Sequence, residues 1–143
     1  MTRAIRVLFV CTHNSARSQM AEGLLRAWSG DRFHVSSAGT EAGTLRPEAV
    51  QVMREIGVDI AGHESKDLAA FIGRPFDWLV TVCDGAREAC PTMPGIGNQE
   101  HWSIADPSAA TGDEQARTAA FRAARDDIAD RVRDFIERSA AEG

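Results

Sequence analysis

The chain has 143 residues, 43% of them hydrophobic and 26% charged, and a net charge of −5. This balance is ordinary for one globular domain, and an acidic chain does not attract nucleic acid as a whole. No apolar run approaches the roughly 18 residues of a membrane helix, and no charged-then-apolar leader opens the chain, so we expect a single cytoplasmic domain over residues 1–143 that binds neither membrane nor nucleic acid.

The apolar runs predict four strands: Ile5–Val10, Phe33–Ser37, Trp78–Val82 and Gln99–Ile104. The first and third are nearly continuous in apolar residues, as in parallel strands that are covered on both faces.

Helical spacing separates these strands. The first helix is predicted from the stripe Met20, Leu24, Ala27 and Trp28. The second is predicted to begin at Pro47 and to end at Gly57, with the stripe Val50, Met53 and Ile56. The last is predicted to begin at a capping box formed by Thr111 and Glu114. Its apolar stripe is Phe121, Ala124, Ile128, Val132 and Phe135.

Strands that alternate with helices predict an α/β protein with a flavodoxin-like three-layer fold. We expect a four-stranded parallel sheet of order 2-1-3-4 with helices on both faces. Residues 83–97, rich in Gly and Pro, are predicted to form a long functional loop. Because parallel strands end at one edge, where ligands bind, we expect Cys11, Cys83 and Asp106 to lie together there.

The segment CTHNSAR, residues 11–17, joins the first strand to the first helix. Backbone N–H groups in such a loop bind oxyanions, and the positive end of a helix stabilises a thiolate. Arg17 carries a planar fork suited to a tetrahedral anion, and Ser18 is placed to donate a hydrogen bond to the Cys11 sulfur. The alternative interpretation of Cys11 is a small buried core residue. The predicted oxyanion-binding residues are Thr12, His13, Asn14, Ser15, Ala16 and Arg17.

The three cysteines do not have the spacing of a metal site, because the chain contains no C-x₂-C pair. Its four histidines are scattered without ligand spacing. We therefore predict no metal and no bound cofactor. Free thiols with a redox role are a better expectation than a structural disulfide.

Three segments resemble the low-molecular-weight tyrosine phosphatase family, and the resemblance covers essentially the whole chain. They are VLFVCTHNSARSQMAEG (residues 7–23), SAGT (37–40) and DP (106–107). The resemblance implies that Cys11 is the nucleophile, Arg17 the oxyanion clamp and Asp106 the general acid.

Within that family, SQMAEG and TVCDGAREACP resemble the thioredoxin-coupled arsenate reductases. The segment ADPSAA lacks the aromatic residue with which phosphotyrosine phosphatases sandwich the substrate ring, and the chain has no tyrosine. The reductase branch implies arsenate as substrate, a thiol relay through Cys11, Cys83 and Cys90, and thioredoxin as the external reductant. Three thiols favour thioredoxin over glutaredoxin or mycoredoxin.

Two alternatives stay open. The chain could be a phosphotyrosine or small-ester phosphatase in which Cys83 and Cys90 only protect Cys11 from oxidation. It could also be a non-catalytic anion or redox sensor, although a pure anion binder gains nothing from Asp106. We expect a monomer, with some residual phosphatase activity if the chain is a reductase.

Three positions depart from the family pattern. Ala16 stands where many reductases of this branch have a second cysteine in the loop, which is not part of the expected relay. His13 stands where a glycine is common. Lys66 stands near the place where potassium-binding relatives have an acid, alongside positions that match Asn14, Glu22 and Ser37. A lysine ammonium can replace the cation there, so the sequence predicts no dependence on potassium.

Overall fold

Four parallel strands form one sheet. They are β1 (Ile5–Cys11), β2 (Phe33–Gly39), β3 (Phe76–Thr81) and β4 (Ile96–His101), in the order β2-β1-β3-β4. The helices are α1 (Arg17–Ser29), α2 (Pro47–Arg54), α3 (Asp84–Ala89) and α4 (Glu114–Glu142), with short 3-10 helices at Gly30–Arg32, Leu68–Phe71 and Pro107–Ala109. The computed structural model describes residues 4–89 and 93–142. The predicted flavodoxin-like fold and its strand order are confirmed.

Strand β1 lies at the centre of the protein. Val7, Leu8, Phe9 and Val10 are all fully buried, and consecutive side chains of a strand point to opposite faces. Both faces of the sheet are therefore covered, which is why this strand reads as an unbroken apolar run. The helix α1 packs against β1, β2 and α4, whereas α3 contacts β1 and β3.

The predicted stripe of α4 is buried along its whole length, from Phe121 to Phe135. The ring of Phe135 lies 5.3 Å from that of Trp78 and 5.7 Å from that of Phe33, so this helix closes one side of the aromatic core. No helix in the described part of the chain is long and apolar enough to cross a membrane.

Several predicted boundaries were wrong. Strand β2 ends at Gly39 instead of Ser37, β3 spans Phe76–Thr81 instead of Trp78–Val82, and α2 ends at Arg54 instead of Gly57. Strand β4 begins at Ile96 instead of Gln99 and ends at His101, because its middle residues are polar and exposed and give little apolar signal. Residues 84–89 are helical, so the predicted loop over residues 83–97 is shorter than expected. Helix α4 begins at Glu114, and the Asp113 carboxylate caps it by accepting the Ala116 N–H at 2.9 Å in place of Thr111.

The predicted stripes of α1 and α2 were right only in part. Met20 and Leu24 are fully buried, but Ala27 and Trp28 are exposed. The Arg133 guanidinium lies 4.7 Å from the centre of the Trp28 ring, so a cation–π contact holds that indole at the surface. In the second stripe, Met53 is buried and Val50 partly so, whereas Ile56 lies beyond the end of α2 and is exposed.

Candidate active site

The backbone of residues 11–17, which we call the oxyanion loop, turns its carbonyl groups outward. Six donors satisfy them: Thr40 N–H bonds to Cys11 O (3.1 Å), Glu41 N–H to Thr12 O (2.8 Å), Gly43 N–H to His13 O (2.9 Å), Gln19 Nε2 to Asn14 O (3.1 Å), Arg46 N–H to Ser15 O (2.8 Å) and Met20 N–H to Ala16 O (2.8 Å). In a trans peptide the carbonyl and the following N–H point in opposite directions. The N–H groups of residues 12–17 therefore face the centre of the loop.

The Cys11 sulfur lies at that centre and accepts from one of these backbone donors. It is 3% exposed, and the Asn14 N–H donates to it at 3.2 Å. Its Sγ lies 2.8 Å from Ser18 Oγ. Because Ser18 Oγ already accepts from Asn14 Nδ2 at 2.7 Å, the hydroxyl proton of Ser18 is available to the sulfur. Two donors, the Asn14 N–H and the Ser18 hydroxyl, are thus directed at the nucleophilic sulfur.

Asn14 fixes the shape of the loop. Its φ of 50° lies in the left-handed region, which Asn tolerates better than most residues. The buried side chain donates to Ser37 Oγ at 2.9 Å, while its Oδ1 accepts from Gln19 Nε2 at 3.0 Å and from the Lys66 N–H at 2.8 Å. The amide of Asn14 thus ties the loop to α1, to β2 and to the segment before the second 3-10 helix.

A buried carboxylate lies behind Asn14. Glu22 is buried and accepts a hydrogen bond from the Ser37 hydroxyl. The Arg26 guanidinium pairs with it, and Lys66 Nζ lies 3.9 Å from its Oε1 while donating to Glu64 O at 2.9 Å. Two cations of the chain itself therefore compensate this charge, as a buried carboxylate requires.

The imidazole of His63 connects this cluster to Gln19. Its Nδ1 lies 3.0 Å from Gln19 Oε1, and its Nε2 lies 3.3 Å from Arg26 NH1. Burial lowers the pKa of His63, and the charges of Arg26 and Lys66 lower it further against the opposing pull of Glu22. A neutral ring fits both contacts, with Nδ1–H donating to the amide and Nε2 accepting from the guanidinium.

Arg17 and Asp106 meet at the mouth of the loop. The Arg17 side chain is largely buried and donates from NH1 to the Ile104 carbonyl at 2.9 Å, and its NH2 lies 3.7 Å from Asp106 Oδ1. The Asp106 side chain is 48% exposed and also accepts the Ser108 N–H at 2.9 Å. The partly exposed Asp106 carboxylate thus lies beside the Arg17 guanidinium at the anion site.

Cys83 lies on the other side of the mouth. Its Sγ is 3.3 Å from Thr12 Oγ1 and accepts the Ala86 N–H at 3.3 Å. The residue is 2% exposed and follows the buried end of β3. Cys90, the third predicted thiol, lies outside the described residues.

A cleft of about 550 Å³ brings these groups together. Thr12, Cys83 and Asp106 line it together, and Cys11 directly precedes Thr12. The expectation that Cys11, Cys83 and Asp106 lie at one edge of the sheet is therefore confirmed. Among the described residues that line the cleft, none is aromatic. The lining residues are Thr12, Arg17, Cys83, Asp84, Gly85, Ser103, Ile104, Ala105 and Asp106.

Some contributors to the site were not predicted from the sequence. They include the carbonyl of Ile104, the backbone donors of residues 40–46 and the amide of Gln19. Backbone groups carry no residue signature, whereas Gln19 was present in the SQMAEG segment. In the described ranges, no three His, Cys, Asp or Glu side chains form a group able to hold a metal ion.

Comparison with known proteins points to one family. The model of the low molecular weight phosphotyrosine protein phosphatase family matches residues 6–142. An arsenate reductase of Bacillus subtilis (strain 168) is 42% identical over 131 residues, which are 92% of this chain and 94% of that protein.

Solved structures agree. An arsenate reductase in the phosphate binding state has a TM-score of 0.78 and 29% identity, and the match covers 94% of this chain and 98% of that one. A thioredoxin-dependent arsenate reductase of Corynebacterium glutamicum has a TM-score of 0.77 and 26% identity, and the match covers 99% of this chain and 65% of that one.

Proposed function

We infer that this chain, which belongs to the low molecular weight phosphotyrosine protein phosphatase family, is an arsenate reductase. The observation that carries the inference is the position of Cys83. A second buried thiol lies 3.3 Å from Thr12 at the mouth of the oxyanion loop. A hydrolase needs no such group, whereas a reductase must supply two electrons from thiols.

Arsenate would bind in the oxyanion loop. The inward-facing N–H groups of residues 12–17 and the guanidinium of Arg17 match the three-fold array of oxygens that a tetrahedral oxyanion presents. The described lining of the cleft offers no aromatic platform for a phosphotyrosine ring. A small inorganic anion needs none.

In the first step the Cys11 thiolate attacks arsenic and one oxygen leaves. Ser18 and the Asn14 N–H hold the sulfur by the contacts described above. Asp106 gives its proton to the departing oxygen, which leaves as water. Its half-exposed carboxyl group stands beside Arg17, where it can take a proton from solvent again.

In the second step Cys83 attacks the Cys11 sulfur. The S–As bond breaks, its electron pair stays on arsenic, and arsenite leaves as a Cys11–Cys83 disulfide forms. The Ala86 N–H donates to the attacking sulfur, and the Thr12 hydroxyl can donate to it as well. The proton of the Cys83 thiol passes to the departing arsenite or to solvent.

In the third step Cys90 attacks Cys83 and frees Cys11, which leaves a Cys83–Cys90 disulfide for thioredoxin to reduce. If the chain between these cysteines stayed helical, seven steps of about 1.5 Å would hold their Cα atoms about 10.5 Å apart. A disulfide requires less than about 7 Å. The helical residues 84–89 must therefore unwind before this bridge forms.

Hydrolysis of small aryl phosphates is a second activity that the same loop supports, because phosphate and arsenate have nearly the same shape and charge. It uses Cys11, Arg17 and Asp106 without Cys83. The test between the two is release of arsenite in the presence of thioredoxin, thioredoxin reductase and NADPH. Oxidation of NADPH that depends on arsenate supports the reductase, and aryl phosphate hydrolysis without it supports a phosphatase.

A further inference from the structure

A network of polar contacts joins the end of β4 to the start of α3. His101 Nε2 lies 2.9 Å from Asp84 Oδ1, and His101 Nδ1 lies 2.7 Å from Thr81 Oγ1. Because a carboxylate oxygen only accepts, His101 Nε2–H is the donor to Asp84. The hydroxyl of Thr81 can donate to Nδ1 or accept from it, so both contacts fit a neutral and a charged ring. Ser103 Oγ lies 3.3 Å from the same Asp84 oxygen.

In this network of contacts, His101 is the residue whose backbone is held by the sheet. It pairs with the buried Thr81 in the ladder between β3 and β4, and the Trp102 N–H extends that ladder to Thr81 O at 2.8 Å. The preceding residue, Glu100, accepts from Trp102 Nε1 at 2.8 Å and from Arg138 of α4 at 3.1 Å. Contacts with β3 and with α4 therefore both restrain the backbone around His101.

Asp84 is the exposed partner in this contact. It is the first residue of α3, its side chain is 73% exposed, and it follows Cys83 directly in the chain. Residues 84–89 are the segment that has to unwind in the third step. The contact with His101 thus ties the junction that carries Cys83 to a rigid strand, at the boundary of a segment that has to change shape.

We propose that His101 is a positioning residue for Cys83, which acts by holding Asp84. It keeps the Cys83 sulfur beside Thr12 and the oxyanion loop while the rest of α3 unwinds. The inference rests on the proposed function, because only a thiol relay needs Cys83 to stay aligned with Cys11 while another thiol approaches it.

The first test measures the contact without using arsenate. The rate at which iodoacetamide alkylates Cys83 is followed by mass spectrometry of the reduced chain. Loss of a hydrogen bond to a charged group should raise this rate roughly three- to tenfold in His101→Ala and in Asp84→Ala. The effects of the two substitutions should add up to less than their sum in the double variant, because each of them removes the contact between His101 and Asp84. His34→Ala, which removes an exposed histidine at the far edge of the sheet, is the matched control.

The second test measures turnover with thioredoxin. His101→Ala should lower kcat for arsenite release by roughly three- to tenfold and leave KM for arsenate unchanged. His101→Gln, whose amide can still donate to Asp84, should restore both kcat and the slow alkylation of Cys83. A general loss of folding would not be rescued in this selective way.

Two results would overturn the inference. One is an alkylation rate of Cys83 that stays at the wild-type value in both His101→Ala and Asp84→Ala. Because Asp84 is exposed, Asp84→Ala should fold and allow the alkylation measurement even if His101→Ala folds poorly. The other is a kcat of His101→Gln as low as that of His101→Ala. Failure of the proposed function would appear separately, as no arsenite release by the wild-type chain.

Discussion

Thr12 Oγ1 lies 3.3 Å from Cys83 Sγ, although the two residues are 71 positions apart in the chain. The contact follows from topology: β1 and β3 are neighbours in a parallel sheet, and both end at the same edge. Thr12 belongs to the loop that begins with Cys11. The second thiol is therefore built into the anion site itself.

Replacing either distal thiol separates the two activities of the loop. Cys83→Ser and Cys90→Ser should each abolish multiple-turnover arsenate reduction with thioredoxin. Neither variant can form the Cys83–Cys90 disulfide that thioredoxin reduces. Hydrolysis of a small aryl phosphate should persist, since it needs only the groups around Cys11. NADPH consumption measures the first activity and release of the aryl alcohol the second.

Cys11→Ser is the reference variant for this experiment, because it should abolish both activities. Full turnover with thioredoxin in either Cys83→Ser or Cys90→Ser would falsify the three-thiol mechanism.

A methyl group added to α3 should slow the relay by two routes. The Cβ of Gly85→Ala would lie 3.0 Å from Thr12 Oγ1, which displaces the hydroxyl that contacts Cys83. Alanine also favours the helix by about 1 kcal/mol over glycine, so unwinding of residues 84–89 becomes about fivefold rarer. We expect kcat for arsenite release to fall by that factor or more, measured in the thioredoxin-coupled assay.

Gly62→Ala is the matched control, because a Cβ there meets nothing within 4 Å. It should retain the wild-type rate. Equal rates in Gly85→Ala and the wild-type chain would show that neither the Thr12 contact nor the unwinding of α3 limits turnover.

The hydroxyl of Ser18 should matter for attack by Cys11 in both activities. Ser18→Ala removes the 2.8 Å contact with the sulfur and leaves Asn14 Nδ2 without one of its acceptors. Loss of a hydrogen bond to a charged group should reduce kcat/KM for an aryl phosphate by about tenfold or more. Ser36→Ala, on β2, is the control and should have no such effect. A kcat/KM of Ser18→Ala equal to that of Ser36→Ala would exclude this role.

The sequence predicted the centre of the fold and of the site better than their edges. Strand β1 was predictable because burial on both faces leaves a continuous apolar run. Strand β4 was misplaced because exposed polar residues such as Asn98 mask its pattern. Cys11, Arg17 and Asp106 could be located because side chains with characteristic chemistry follow strands whose ends share one edge. The Ile104 carbonyl, which holds Arg17, could not, since every residue has a carbonyl group.

Potassium should not activate the enzyme. Lys66 Nζ lies 3.9 Å from the buried Glu22 carboxylate, so the chain supplies a cation there itself. We expect kcat and KM for arsenate to agree within about twofold between KCl and NaCl at equal ionic strength. In Lys66→Ala, potassium should raise the midpoint of thermal unfolding more than sodium does. Arg54→Ala, which removes an exposed cation on α2, should respond equally to both salts. Clear activation of the wild-type chain by potassium over sodium would contradict this prediction.

The ion pair between α2 and α4 should stabilise the protein only above acidic pH. Hydrogen bonds from Arg122, at 2.9 and 2.6 Å, and from Arg125, at 2.8 Å, lower the pKa of Glu55 from about 4.5 to about 2 against a smaller opposing effect of burial. The folded state thus binds the Glu55 proton more weakly than the unfolded chain does. The stabilisation is complete above about pH 4.5 and is lost as the pH falls toward 2.

Glu55→Gln should therefore lower the urea midpoint of unfolding at pH 7, and the difference from the wild-type chain should shrink between pH 4.5 and pH 2. Because the Glu55 and Arg122 side chains are partly exposed, added salt should reduce the difference at pH 7. Asp31→Asn, which neutralises an exposed carboxylate before β2, is the control. A deficit of Glu55→Gln that stays constant from pH 7 to pH 2 would mean that the carboxylate acts by packing and not by its charge.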